Sequence, residues 1–163
     1  MTRRTTLKWL HWLSSAKIFR FFLVEPDDVE RLGGAALATH AGMGTLLAIL
    51  LAGWLTMYVR RGLASRPGTK LPGWARSLTA VVLSGALAGF AAPFAIHLFG
   101  VIPFFPGIGT QQVHALVEEI HEVAFDALMI ALAIHMAFHL WRHYMLKDNA
   151  LRIMAPKALH RYL

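Results

Sequence analysis

The chain has 163 residues, is 56% hydrophobic, carries a formal charge of +7 and contains no cysteine. Its mean hydropathy of +0.51 is above that of soluble domains, so membrane-embedded segments are expected, and the positive charge reads as cytoplasmic Lys/Arg loops rather than a nucleic-acid patch. Without cysteine there are no disulfides, thiolate metal sites, iron–sulfur clusters or haem attached through C-x-x-C-H, which leaves nine histidines as the main ligand inventory.

Four apolar segments follow in chain order, and roughly 20 residues each are needed to cross the hydrocarbon core as a helix. The first, about 7–24, follows a basic start, "MTRRTTLKWLHWLSSAKIF"; Lys17 and Arg20 interrupt it and no small-residue cleavage site is visible, so it is expected to be retained. The second, about 34–59, is uninterrupted. The third, about 74–99, holds Ser84, Gly85, Ala86, Ala88 and Gly89, small residues that let membrane helices approach closely. The fourth, about 113–144, is long enough to project beyond the bilayer core.

The loops orient these helices. Arg3, Arg4 and Lys8 precede the first; Arg60, Arg61, Arg66, Lys70 and Arg76 separate the second and third; Arg142, Lys147, Arg152, Lys157 and Arg161 end the chain. By the positive-inside rule these three regions face the cytoplasm, whereas acidic "VEPDDVER" and uncharged "VIPFFPGIGTQQ" face outward. Pro67, Gly68, Pro72 and Gly73 mark the inner loop, and Pro103, Pro106 and Gly107 the second outer one. The expected fold is all-α: a single domain over 1–163, an integral membrane four-helix bundle with both termini cytoplasmic and a cytoplasmic tail over 145–163. The expected location is a bacterial inner (cytoplasmic) membrane, multi-pass.

Histidines carry the chemistry. His121 and His135 are fourteen residues apart, which returns the second to within about 40° of the first, roughly 21 Å along the helix. Two imidazoles thus share one face at two depths, as two haems stacked across a bilayer require. His40, near the outer start of helix 2, matches the depth of His121; His11, near the inner start of helix 1, matches His135. Four histidines on three helices therefore supply two six-coordinate irons, His40/His121 outside and His11/His135 inside. His139 shares the face and is a rival to His135, while His97 and His114 are rivals at the outer level. His143 and His160 read as inner-interface residues.

Other readings stand beside this one. A single histidine on an apolar face is more often a satisfied packing residue than a ligand. A metal-ion carrier would cluster its imidazoles or carboxylates at one midplane site, whereas the levels here are two. Asp126, alone among carboxylates well inside a helix, suits either a proton-relay or quinone-facing role or a polar helix contact. Gly42 and Gly44 beside His40 would admit a flat macrocycle or a packed helix equally. Trp9, Trp12, Trp74 and Trp141 read as an aromatic belt.

The set "LHW" at His11, "THAGMG" at His40, "IHE" at His121, "IH" at His135 and the tail "HYMLKDNALRIMAP" resembles the bacterial cytochrome b561 family of di-haem membrane cytochromes. The resemblance covers nearly the whole chain. Its most specific part runs from His121 to Pro156, where "KDN-x-L-x-R-M-x-P" is matched except that Ile153 precedes Met154. It carries the family's four haem ligands onto His11, His40, His121 and His135. It implies two haem b groups and electron exchange between membrane quinone or quinol, ubiquinone among them, and a redox partner outside, with one branch of the family oxidising superoxide to pass electrons to quinone. A membrane-anchor cytochrome b subunit of a larger respiratory or oxidoreductase complex is the alternative. The cytochrome b of quinol:cytochrome c complexes takes two histidines from each of two helices, but fourteen residues after His40 stands Trp54. Lys17 and Arg20 occupy positions the family keeps apolar; Arg20 could serve outer haem propionates or a subunit contact, although the helical turn points it away from His11.

The outer side gathers Glu25, Asp27, Asp28, Glu30, Glu118, Glu119 and Glu122 against Arg31. Such a field repels superoxide and attracts a basic c-type cytochrome or another cationic redox subunit; solvated loops of a membrane protein have the same composition. The expected partners are therefore membrane lipid, quinone and that outer protein, in an oligomer or complex, and not nucleic acid.

Overall fold

The computed structural model describes residues 3–23, 34–60, 73–149, 151–152 and 155. These are mostly helical. Helix α1 spans Arg3–Leu23, α2 Gly34–Val59, α3 Gly73–Ala91 and α4 Gln111–Met145, with a two-stranded antiparallel sheet, β1 (Ile96–Leu98) and β2 (Ile102–Phe105), between α3 and α4. Helices α2, α3 and α4 are long and apolar enough to cross a membrane. Helix α1 has comparable length, but Lys8, Lys17 and Arg20 interrupt its apolar sequence.

Contacts at both ends show that consecutive helices run antiparallel. Phe21 meets His40 with ring centroids 4.8 Å apart, and nearer the other end Leu10 lies against Gly53. Trp54 at the end of α2 stacks edge-on against Trp74 at the start of α3, 5.2 Å away. This arrangement gathers Lys8, Arg60, Arg76, Arg142 and Lys147 at one end. The basic loops and the acidic segment between them fall largely outside the described residues: Glu25, Asp27, Asp28, Glu30 and Arg31, then Arg61, Arg66, Pro67, Gly68, Lys70 and Pro72, and in the tail Lys157, His160 and Arg161.

One core joins all four helices. Ile18, Leu47, Leu51, Leu78, Val81 and Leu128 form it, with Leu128 only 1% exposed. Much of the remaining apolar surface is uncovered: Phe19, Ile49, Leu83, Leu87, Val123, Ile130 and Ile134 are all more than half exposed, as suits helices facing lipid rather than water.

The third helix is shorter than its apolar run. It ends at Ala91, not near residue 99, because Pro93 follows with no N–H to donate and disfavours helical geometry at the residue before it. The chain then pairs Ile96 with Phe105, His97 with Pro103 and Leu98 with Ile102, so part of the expected outer loop is a hairpin. Its turn is pinned to α2. Phe99 takes a left-handed φ of 53°, donates its N–H to the Ala38 carbonyl at 2.9 Å, and lays its ring against Gly42. A bulky residue holds that conformation only where surrounding contacts over-determine it.

The return from the hairpin is equally tight. Gly109 donates to the Ala92 carbonyl at 3.1 Å, and a Cβ there would fall on the Ala91 carbonyl. Gly109→Ala is expected to push the hairpin off the end of α3 at a cost of about 1–3 kcal/mol, read as a lowered Tm of the detergent-solubilised protein. Next in the chain, Thr110 caps α4 by accepting from the Val113 N–H. At the other end the "KDN" segment bends the tail back: Lys147 and Asn149 have φ of 51° and 57°, Asp148 pairs with Arg142, and the Lys8 ammonium donates to the Ala155 carbonyl. The motif thus joins the end of the chain to the start of α1.

Candidate functional site

Two histidine levels lie on either side of the apolar core. His11, His40 and His121 each stand seven residues before Ile18, Leu47 and Leu128, and His135 stands seven after Leu128. Seven residues are nearly two turns, about 10.5 Å of rise with a drift of only about 20°. The same helix faces that converge on Leu128 therefore converge again above and below it.

At the outer level the structure brings His40 of α2 and His121 of α4 together. Their ring centroids are 6.2 Å apart and their planes nearly perpendicular. This is close to the separation of two imidazoles that share one metal ion, given metal–nitrogen bonds of about 2 Å on each side. Both rings are half-buried. His121 is oriented from α3: its Nδ1 lies 3.0 Å from the buried Ser84 hydroxyl, which itself lies 3.1 Å from the Val81 carbonyl. A carbonyl only accepts, so Ser84 gives its proton to Val81 and accepts from the His121 Nδ1–H. Nε2 is then the unprotonated nitrogen, the form that ligates a metal. Beside it Gly85 has no side chain because the ring needs the room: a Cβ would come within 2.9 Å of the His121 Cε1.

The other glycines divide. Gly42 is filled by Phe99, whereas a Cβ on Gly44 would meet nothing within 4 Å, so only Gly44 leaves open space one turn from His40. On α1, Lys17 reaches the Met43 sulfur at 3.8 Å, and Arg20 lies within electrostatic range of His40. Both cations therefore sit toward the outer level, and Arg20 is near an imidazole although it points away from His11.

At the inner level His11 lies within electrostatic range of His135 and His139, whose own rings are 4.5 Å apart. His135 and His139 thus stand together on α4, and position 139 stays beside position 135. One turn from His11, Ser14 is 6% exposed and its hydroxyl has no hydrogen-bond partner among the described residues. A buried orphan hydroxyl of this kind is what a polar edge of a bound group, or a water, would satisfy. His143 likewise buries an unpartnered Nδ1 at the inner end of α4.

The outer rivals do something else. His114 is buried, with Nδ1 3.1 Å from the Ala88 carbonyl, two turns beyond His121 on the same helix face. His97 is exposed on β1. Asp126 is exposed on α4, about 140° around the helix from His121. No group of three or more metal-ligating side chains occurs among the described residues; the imidazoles come as two pairs, His40 with His121 and His135 with His139. Sequence reasoning missed Ser84 and Gly85 as parts of the site, because a small-residue stretch in a membrane helix signals close packing without saying what packs there. Were an iron held by His40 and His121, Ser84→Ala would weaken its retention about 10–100-fold, measured by titrating haem into the purified protein.

Fold and site together define a helical protein with three membrane-length helices and histidines gathered at two depths. No protein-family model and no curated protein matches the chain.

Proposed function

We propose that this chain is a di-haem b-type electron-transfer cytochrome, an integral membrane four-helix bundle of the bacterial inner membrane with both termini cytoplasmic, similar to the cytochrome b561 family. The observation that carries the reading is the His40–His121 pair, 6.2 Å apart across α2 and α4; below Leu128, His11 lies within electrostatic range of His135 and His139. His40 and His121 would hold the outer haem, and His11 and His135 the inner one. A b haem held this way supplies reversible one-electron exchange at iron. The chain's own part is to fix the imidazoles, through Ser84 at the outer level, and to keep water out between the levels with Ile18, Leu47 and Leu128. Basic residues gathered at one end support a cytoplasmic face there, and α1, whose Lys17 reaches Met43 of α2 and whose Arg20 is within range of His40, crosses with the other three.

Membrane quinone or quinol is the partner on the lipid side. On the outer side Glu118, Glu119 and Glu122 are all exposed on α4, a surface that favours a basic c-type cytochrome over superoxide. Electron exchange with such a cytochrome is expected to slow as ionic strength rises; a salt-independent rate would remove this partner. The reading as a subunit of a larger complex is favoured by Asp126, a carboxylate exposed at membrane depth that a partner helix would cover. The test of the whole is a reduced-minus-oxidised spectrum with pyridine haemochrome quantification of the purified protein. Two b haems per chain are expected, and none would end the proposal.

A further inference from the structure

At the outer end, a cleft of about 570 Å³ opens between the first turns of α2 and α4 and the hairpin. Its size suits a single-ring organic group. Its best-placed polar residue is His114, only 9% exposed and held on three sides. Nδ1 lies 3.1 Å from the Ala88 carbonyl, the ring packs edge-on against Phe94 at 5.6 Å, and Nε2 is 3.9 Å from a Glu118 carboxylate oxygen. Since Ala88 can only accept, Nδ1 carries a proton, which leaves Nε2, on the cleft side of the ring, as the nitrogen that can meet a ligand.

Three features narrow the ligand. Phe94, which lines the cleft with His114, supplies an aromatic wall. Exposed Glu118 beside His114 disfavours an anion. The approach is apolar: Phe99, Val101, Ile102 and Phe104 of the hairpin are exposed, and no Asp, Glu, Lys or Arg occurs from residue 92 to 110, which suits an uncharged, lipid-soluble ligand. The cleft also adjoins the outer pair. His114 is seven residues, about 10.5 Å, from His121 on the same face of α4, and Ala88 is one turn of α3 from Ser84.

We propose that this cleft binds the ring of a lipid-soluble hydroquinone, with His114 Nε2 accepting the hydrogen bond of a ring hydroxyl. The choice of a hydroquinone rests on the electron-transfer reading above, whereas the cleft and its imidazole do not. The test uses the purified holoprotein in nanodiscs, kept anaerobic and reduced so that the ligand is not consumed, with a short-chain hydroquinone bearing a diazirine. Photoadducts are expected on residues 94–118. Gly34→Leu, which places a side chain where a Cβ now meets nothing within 4 Å, should reduce labelling at least fivefold. His114→Phe, which keeps the ring but removes the acceptor, should weaken equilibrium binding about tenfold, the effect of losing one hydrogen bond of about 1.4 kcal/mol. Adducts elsewhere, or wild-type labelling and affinity in both variants, would overturn the proposal. Haem is counted on the same samples: labelling of the cleft without haem would sink the cytochrome reading and uphold the cleft, and two haems without cleft labelling would do the reverse.

Discussion

The His121→Ala protein is expected to hold one haem per chain in place of two, and His40→Ala to match it. Both side chains face the same 6.2 Å gap, so an iron held between them would lose one of its two protein ligands in either variant. His11→Ala should remove the other haem. The instructive comparison is His135→Ala with His139→Ala, since His11 is in range of both. His135 is one heptad from Leu128, as His11 is from Ile18, so their faces meet in register. His139 is a further turn toward the helix end. His135→Ala is therefore expected to leave one haem and His139→Ala two, counted by pyridine haemochrome; the opposite result would move the inner iron to position 139.

Gly85→Val is expected to produce the outer-haem defect without touching a ligand. A Cβ alone at this position would crowd His121 Cε1 to 2.9 Å, and the ring cannot simply retreat while Ser84 holds Nδ1 from the same helix. The branched side chain adds further volume on that side. Outer-haem occupancy should fall tenfold or more with inner occupancy kept, followed by the difference spectrum and by haem count. Full outer occupancy in Gly85→Val would mean that α3 stands further from α4 in the loaded protein.

The cost of emptying the core needs separate treatment in lipid. Among the described residues Leu128 is the one large side chain buried to 1%, yet lipid tails are as apolar as leucine, so truncating it loses packing contacts rather than transfer energy from water. Its place in the core is midway along α4 between His121 and His135, seven residues from each.

Much of this was legible in the sequence. The apolar runs over 34–59 and 113–144 became α2 and α4 within two residues, because in lipid a long apolar segment has no alternative to satisfying its backbone as a helix. The shared face of His121 and His135 was legible for the same reason, since helical periodicity is a local property. The third helix was misjudged at its end: residues 92–105 are as apolar as a helix interior, but Pro93 stops the helix and the hairpin docks on Gly42 through Phe99, a contact between residues 57 positions apart.

The apolar helices α2 and α4 and the shared face of His121 and His135 therefore follow from residue order alone, because helical periodicity is local and lipid penalises exposed backbone polar groups. Only the tertiary structure decided which imidazoles meet, that Ser84 sets the tautomer of His121, that Gly85 yields room to it, and that His114 turns to Ala88 and a cleft instead of to His40. Those outcomes depend on the rotation and spacing of neighbouring helices, which are set by side-chain packing around Leu128 rather than by the order of residues along any one of them.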